Sequence, residues 1–108
     1  MSNLIRESLG DFEVVRLAGE VDLSWSQQVR AAILDALERQ RAVGVELSQV
    51  SYIDSSGIAA LVEGFQTARG SGRRFVLVAT SKAVLAVLQL ARLDRVFVLV
   101  DDLESARA

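Results

Sequence analysis

The chain has 108 residues, of which 51% are hydrophobic, and a net charge of −2. This length fits one domain with a real core, and the composition argues against disorder. The small negative charge gives no electrostatic reason to expect direct binding to nucleic acid. With no His and no Cys, the chain lacks the usual ligands of zinc and haem, and we expect no metal and no cofactor. No apolar run approaches the roughly 20 residues of a membrane span, so we expect a cytoplasmic protein without membrane insertion.

The start of the chain predicts a β-hairpin. In residues 3–8 and 12–18, apolar residues alternate with polar ones or follow each other directly, and both segments contain β-branched residues. Gly10-Asp11 lies between the two segments. Gly19-Glu20-Val21-Asp22 is then predicted to form an acidic turn. Ser24, three residues before Gln27, matches a capping box at the start of a helix.

The remaining elements alternate between strands and helices. Their predicted order is a strand from residue 42 or 43, a helix after Asp54, a buried strand at 75–79, a helix at 82–90 capped by Ser81, a strand at 97–100 and a short final helix. The order ββαβαβαβα predicts a single α/β domain over residues 1–108. We expect a mixed, mainly parallel sheet of four to five strands, with an N-terminal β-hairpin and about four helices.

The segment Asp54-Ser55-Ser56-Gly57-Ile58 follows an apolar strand and opens a helix. One interpretation is a simple cluster of helix-capping side chains. A second interpretation is a phosphate-accepting serine, because a phosphate there would meet free backbone N–H groups and the favourable end of the helix dipole. Catalysis by Ser55 is not expected, because the chain has no His and Lys82 is its only lysine.

Small residues at three- and four-residue spacing follow Ser55 on the same helix: Gly57, Ala60, Gly64 and Thr67. They predict a flat strip, which serves either close packing inside the domain or docking of a partner beside Ser55. Trp25, the only tryptophan, either packs on the core or anchors a partner. The candidate partner-binding residues are Asp22, Trp25, Asp54, Ser56, Gly57, Ile58, Ala60, Glu63 and Gly64.

Two other groups of residues each allow more than one interpretation of their role. The apolar residues of the helix at 82–90 cover more than one face, which suits either deep packing against the sheet or an exposed surface for a partner or a weak homodimer. Arg69, Arg73 and Arg74 surround a Gly-Ser-Gly turn. These arginines are either a solvated surface or a group with a phosphate- or nucleotide-related role.

The serine segment, together with Glu46-Leu47-Ser48-Gln49-Val50-Ser51-Tyr52-Ile53 before it, resembles the signature of STAS-domain anti-sigma factor antagonists. Gly19-Glu20-Val21-Asp22 resembles the family's second motif, and the resemblance runs from about Leu4 to the final helix. Trp25 has no general counterpart in the family.

The resemblance implies a bacterial, non-enzymatic partner-switching protein. Its unphosphorylated form would bind an anti-sigma factor that is itself a serine kinase, and phosphorylation of Ser55 would separate the two. A metal-dependent serine phosphatase would reverse the modification. The alternative is a non-phosphorylated STAS interaction subunit of a lipid-transport ABC system or another scaffold.

Overall fold

The computed structural model describes residues 2–107, and the elements within that range follow the predicted order. They are β1 (Asn3–Leu9), β2 (Phe12–Val21), α1 (Ser26–Glu38), β3 (Ala42–Ile53), α2 (Ser55–Gly70), β4 (Phe75–Val78), α3 (Lys82–Leu90), β5 (Val98–Val100) and α4 (Leu103–Arg107). Among residues 2–107, every helix is too short or too polar to span a lipid bilayer.

The strands form one five-stranded sheet in the order β1-β2-β3-β4-β5. β1 pairs antiparallel with β2, and the other neighbours are parallel, which confirms the mixed, mainly parallel sheet. Because α1 follows β2 and α2 follows β3, both helices begin at the edge of the sheet where the parallel strands end. In open α/β sheets this edge is the usual place for binding sites.

Hydrophobic side chains cover both faces of the sheet. The larger cluster lies between the sheet and the helices α1, α2 and α3, and it includes Val21, Ile33, Ile53 and Leu61. A smaller cluster under α4 lies on the opposite face and includes Phe12, Val14, Val76, Val78 and Ala106. All four residues of β4 are buried, as expected of a parallel strand covered on both sides.

The acidic turn predicted at Gly19-Glu20-Val21-Asp22 is largely strand. β2 continues to Val21, because Glu20 pairs with Tyr52 and Val21 with Ile53. The pairing register shifts between Gly19 and Glu20, and Gly19 has a φ of 87° that glycine adopts without steric cost. This irregularity accounts for the turn-like composition.

The predicted capping box at Ser24 is wrong. The helix α1 begins at Ser26, and its N-cap Trp25 makes no side-chain capping hydrogen bond. The Ser24 hydroxyl instead donates to Asp22 Oδ1 at 2.6 Å, and the amides of Trp25 and Ser26 donate to the Asp22 carbonyl. Asp22 therefore organises the loop that leads into α1.

The last strand begins at Val98 rather than at Phe97, and it forms an edge of the sheet. The side chain of Val98 is exposed, which is consistent with this edge position. In α3, Val84 and Leu88 are buried whereas Leu90 is 89% exposed. Most of that helix's apolar surface thus faces the domain, and its C-terminal end does not.

Candidate functional site

Asp54 is the N-cap of α2 and holds the first turn of that helix. Its backbone is extended, and its Oδ1 accepts the amide N–H groups of Ser56 at 2.9 Å and Gly57 at 3.1 Å. The Ser56 hydroxyl donates to the same oxygen at 2.6 Å. Asp54 Oδ1 therefore satisfies two of the orphan N–H groups that every helix start carries.

Ser55 and Ser56 differ sharply in their surroundings. Ser55 is the first residue of α2 and is exposed, and its hydroxyl makes no hydrogen bond to any other residue in the range 2–107. Ser56 is partly buried, and Asp54 holds its hydroxyl. Of the two hydroxyls, the one of Ser55 is accessible to another protein.

The sequence predicts that a phosphate on Ser55 meets free backbone N–H groups. For the N–H groups of Ser56 and Gly57 this prediction is wrong. Asp54 already accepts both of these amides, and the Ile58 amide donates to the Asp54 carbonyl. A phosphate at Ser55 would therefore lie beside a carboxylate that occupies the helix N-terminus. Like charges so placed repel each other.

The pKa of the Asp54 carboxyl group is lower than that of an ordinary aspartate. The hydrogen bond from the Ser56 hydroxyl contributes most to holding this pKa below its ordinary value, and the amides of Gly57, Ser56 and Leu23 add to the effect. Partial burial of the carboxyl group opposes them.

The two sequence motifs meet at this sheet edge. The Asp54 amide donates to the carbonyl of Val21 at 3.1 Å, directly before Asp22. Asp22 Oδ1 in turn accepts the amide and the hydroxyl of Ser24. The structure thus brings the loop after β2 and the start of α2 together, as their positions at the ends of adjacent parallel strands require.

Except for Thr67, which is exposed, the small-residue strip lies inside the domain, so its interpretation as a partner-docking surface is corrected. Gly57, Ala60 and Gly64 are all buried. A Cβ at Gly57 would lie 2.6 Å from Ile53 Cγ1, and a Cβ at Gly64 would lie 2.6 Å from Ile33 Cγ2. These residues let α2 pack closely against the sheet and α1, which is the other use that the sequence left open.

The remaining candidate residues are partly buried or half-exposed. Trp25 and Ile58 are partly buried and pack against the larger core cluster. The Trp25 indole N–H is buried without a hydrogen-bond partner among the described residues. Glu63 forms a two-bond ion pair with Arg30 of α1, at 2.7 and 2.8 Å. It therefore links two helices at a half-exposed position.

Sequence reasoning missed two exposed apolar side chains near this edge. Leu23 is 71% exposed in the loop after β2, and Tyr52 is 49% exposed close to the end of β3. Neither belongs to a helical stripe, and Tyr52 stands in a segment that also contains buried residues, so no periodic pattern marked them. Large exposed side chains of this kind are typical contacts of binding surfaces.

Comparison with known proteins identifies the class of this domain. The family model described as "Mlab, STAS domain" matches residues 6–101. The chain therefore belongs to the STAS-domain family, as the resemblance in its motifs predicted.

Solved structures of anti-sigma factor antagonists have the same fold. One from Mycobacterium paratuberculosis is 25% identical, with a TM-score of 0.88 over 98% of this chain and 91% of that chain. The Bacillus anti-sigma factor antagonist SpoIIAA in its unphosphorylated form is also 25% identical, with a TM-score of 0.81 over 96% and 92% of the two chains.

The same fold also occurs in a protein that is not described as an anti-sigma factor antagonist. A sulfate transporter family protein from Wolinella succinogenes is 16% identical, with a TM-score of 0.77 over 93% of this chain and 84% of that chain. At that identity the similarity concerns the fold alone. The function of this chain therefore has to be argued from its site.

Proposed function

We propose that this chain is an anti-sigma factor antagonist in a partner-switching pathway, with Ser55 as its phosphate acceptor. In the unphosphorylated form it binds an anti-sigma factor that is a serine kinase, and so releases the factor's target. The kinase phosphorylates Ser55 and the complex separates. A metal-dependent serine phosphatase then restores the binding form.

The observation that carries this proposal is the exposed Ser55 hydroxyl at the start of α2, free of hydrogen bonds to the other described residues. A kinase needs a hydroxyl that it can reach, and the neighbouring Ser56 hydroxyl is held by Asp54. The chain's similarity to anti-sigma factor antagonists of known structure supports the same role.

The binding surface in this proposal surrounds Ser55 at the edge of the sheet. Leu23 and Tyr52 supply its exposed apolar area, Trp25 and Ile58 contribute their accessible parts, and Asp22 shapes the loop. Glu63 and Ser56 border this surface. The buried glycines of α2 act only by supporting the backbone from inside.

The charge of a phosphate is sufficient to switch such a complex. Phosphorylation adds about −1.5 to −2 charges at pH 7. In an interface beside the Asp54 carboxylate, that charge loses water and meets a like charge. Since about 1.4 kcal/mol changes an affinity tenfold, one modified side chain can separate the partners without refolding the domain.

The decisive experiment incubates the protein with ATP and a serine kinase of the anti-sigma factor class, and then maps phosphate by mass spectrometry. We expect phosphate on Ser55 and none after Ser55→Ala. Ser51→Ala is the matched control, because Ser51 is also an exposed serine near the end of β3.

Pull-downs with the kinase test the switch itself. Ser55→Ala should remain bound in the presence of ATP, and Ser55→Asp should bind weakly. Equal retention of both variants, or phosphate on the protein after Ser55→Ala, would contradict the proposal.

A second candidate function is a constitutive interaction subunit, such as the STAS component of a lipid-transport ABC system. The observation that favours it is the matching family model, whose description names Mlab rather than an anti-sigma factor antagonist. In this case the kinase assay leaves Ser55 unmodified, and the chain forms a stable complex with an ATPase subunit.

A further inference from the structure

A cavity of about 590 Å³ lies at the edge of the sheet opposite Ser55, where β2, β3 and β4 begin. Three connecting loops line it, namely those between β1 and β2, between α1 and β3, and between α2 and β4. They contribute three arginines, Arg41, Arg73 and Arg74, and one carboxylate, Asp11. The cavity is therefore rich in positive charge within a chain whose net charge is −2.

The three arginines have no carboxylate partner within the described residues. Arg6, Arg16, Arg30 and Arg39, by contrast, each form an ion pair. Asp11 lines the cavity without pairing with any of the three. This leaves guanidinium groups available to an anion.

The hydrogen bonds of the three guanidinium groups use only some of their N–H donors. Arg41 Nη2 donates to the carbonyls of Gly10 and Phe12, and Arg73 Nη2 donates to Gln40 Oε1 at 3.3 Å. The Arg74 guanidinium lies 5.2 Å from the centre of the Phe12 ring. Arg41 Nε is buried without a partner, which is costly for an N–H group unless something binds there.

These guanidinium groups are not needed to cap the adjacent helices. Backbone amides already satisfy carbonyls at the ends of α1 and α2, since Arg41 N donates to Ala36 O and Arg73 N donates to Ala68 O. The negative ends of the two helix dipoles, about half a charge each, and the Asp11 carboxylate offset only part of three full positive charges. A positive excess remains in the cavity.

A second cavity of about 380 Å³ adjoins the first and shares Arg73 and Arg74 with it. Its other walls consist of Arg69 and four apolar residues, of which Phe65 and Val98 are accessible and Phe75 and Val76 are almost fully buried. An isolated phosphate ion would leave this space unused. A molecule with both a phosphate and an apolar ring would fill both cavities, whose volumes fall in the usual range for small-molecule sites.

We propose that the two adjoining cavities form a binding site for a phosphate-bearing small molecule. Its phosphate groups contact Arg41, Arg73 and Arg74, whose planar guanidinium groups match phosphate geometry, and its ring lies against Phe65 and the exposed Val98. The site is separate from Ser55, so binding does not depend on the proposed switch.

The test is a titration of the isotope-labelled protein, followed by NMR, with three probes: inorganic phosphate, pyrophosphate and ADP. We expect saturable shifts of the amides of Gly10, Gln40 and Gly72. The double variant Arg73→Gln/Arg74→Gln should bind at least about tenfold more weakly. The matched control is Arg92→Gln/Arg95→Gln, which removes the same charge from two other exposed arginines.

The probes also separate the contribution of the phosphate from that of the ring. Tighter binding of ADP with additional shifts at Val98 supports a ligand that carries both a phosphate and a ring, whereas equal binding of all three probes would contradict the ring contact. No saturable shifts with any probe, or the same loss of binding in both double variants, would overturn the proposal. Arg41→Gln provides an independent check, because it should weaken binding while the NMR spectrum reports whether the domain stays folded.

Discussion

The hydroxyls of Ser55 and Ser56 are neighbours in sequence, but only the hydroxyl of Ser56 is bonded to Asp54. This bond is the largest contribution to the lowered pKa of Asp54. Ser56→Ala should therefore raise the pKa of Asp54 toward its ordinary value, as measured by an NMR titration of the carboxyl carbon. In a kinase assay the same variant should still accept phosphate at Ser55. An unchanged Asp54 pKa would show that the backbone amides alone control this carboxyl group.

The charge of Asp54 predicts a pH dependence of stability. Because the pKa of Asp54 is lowered in the folded state, its charged form stabilises the fold. This contribution is fully present above the ordinary aspartate pKa of about 3.9. It disappears as the pH falls through the lower folded value. Asp54→Asn keeps a capping side chain but removes the charge, so it isolates this contribution.

Unfolding measurements from about pH 6 to about pH 3 test this prediction. The stability difference between the wild type and Asp54→Asn should shrink as the pH falls. Asp101→Asn is the control, since the exposed Asp101 carboxylate makes no hydrogen bond to the other described residues. A difference that stays constant over this range would contradict the assignment.

The helix α2 owes its position to small residues on its buried face. Gly64→Ala should destabilise the domain by about 1–3 kcal/mol, because the added Cβ would collide with Ile33 and Phe75. The cost of this collision exceeds the stability gained from the higher helix propensity of alanine. Gly57→Ala should do the same, since its Cβ would lie 3.0 Å from the carbonyl oxygen of Val21. Both effects can be measured by urea denaturation.

Gly70→Ala is the matched control for these two variants. Gly70 also lies in α2, but a Cβ there would have no atom within 4 Å. This variant should leave stability unchanged or raise it by up to about 1 kcal/mol. If all three variants behaved alike, helix propensity rather than close packing would explain the glycines.

The elements differ in how far the sequence alone predicts them. The hairpin and β4 could be predicted because their apolar patterns are local and match strand geometry. The extension of β2 to Val21 could not, since it depends on pairing with β3, which lies far away in sequence. The small-residue strip was ambiguous for a similar reason. Glycine and alanine at helical spacing suit any close contact, and only the packed fold shows that α1 and the sheet make it.

For the molecule as a whole, the sheet edge at Ser55 and the sheet edge at Arg73 lie at opposite ends of the parallel strands. The sequence predicted the first of these sites through its motifs. The arginine cavity depends on three loops that are distant in sequence, and only their meeting at one edge creates it. The sequence indicated Arg73 and Arg74 as a candidate phosphate-binding group but not Arg41, and the net charge of −2 gave no indication of the cavity.

The proposed switch also makes a prediction about the whole domain. Ser55 lies outside both core clusters, and its hydroxyl makes no hydrogen bond to the other described residues. Phosphorylation should therefore change the NMR spectrum only near the start of α2 and in the loop that contains Asp22 and Leu23. The melting temperature should change little. Comparing the spectra of the two forms tests this expectation, with the phosphatase-treated protein as the control. Large shifts in β4 or α3 would mean that the switch acts by rearranging the fold, whereas local shifts combined with loss of kinase binding would mean that charge at the surface is sufficient.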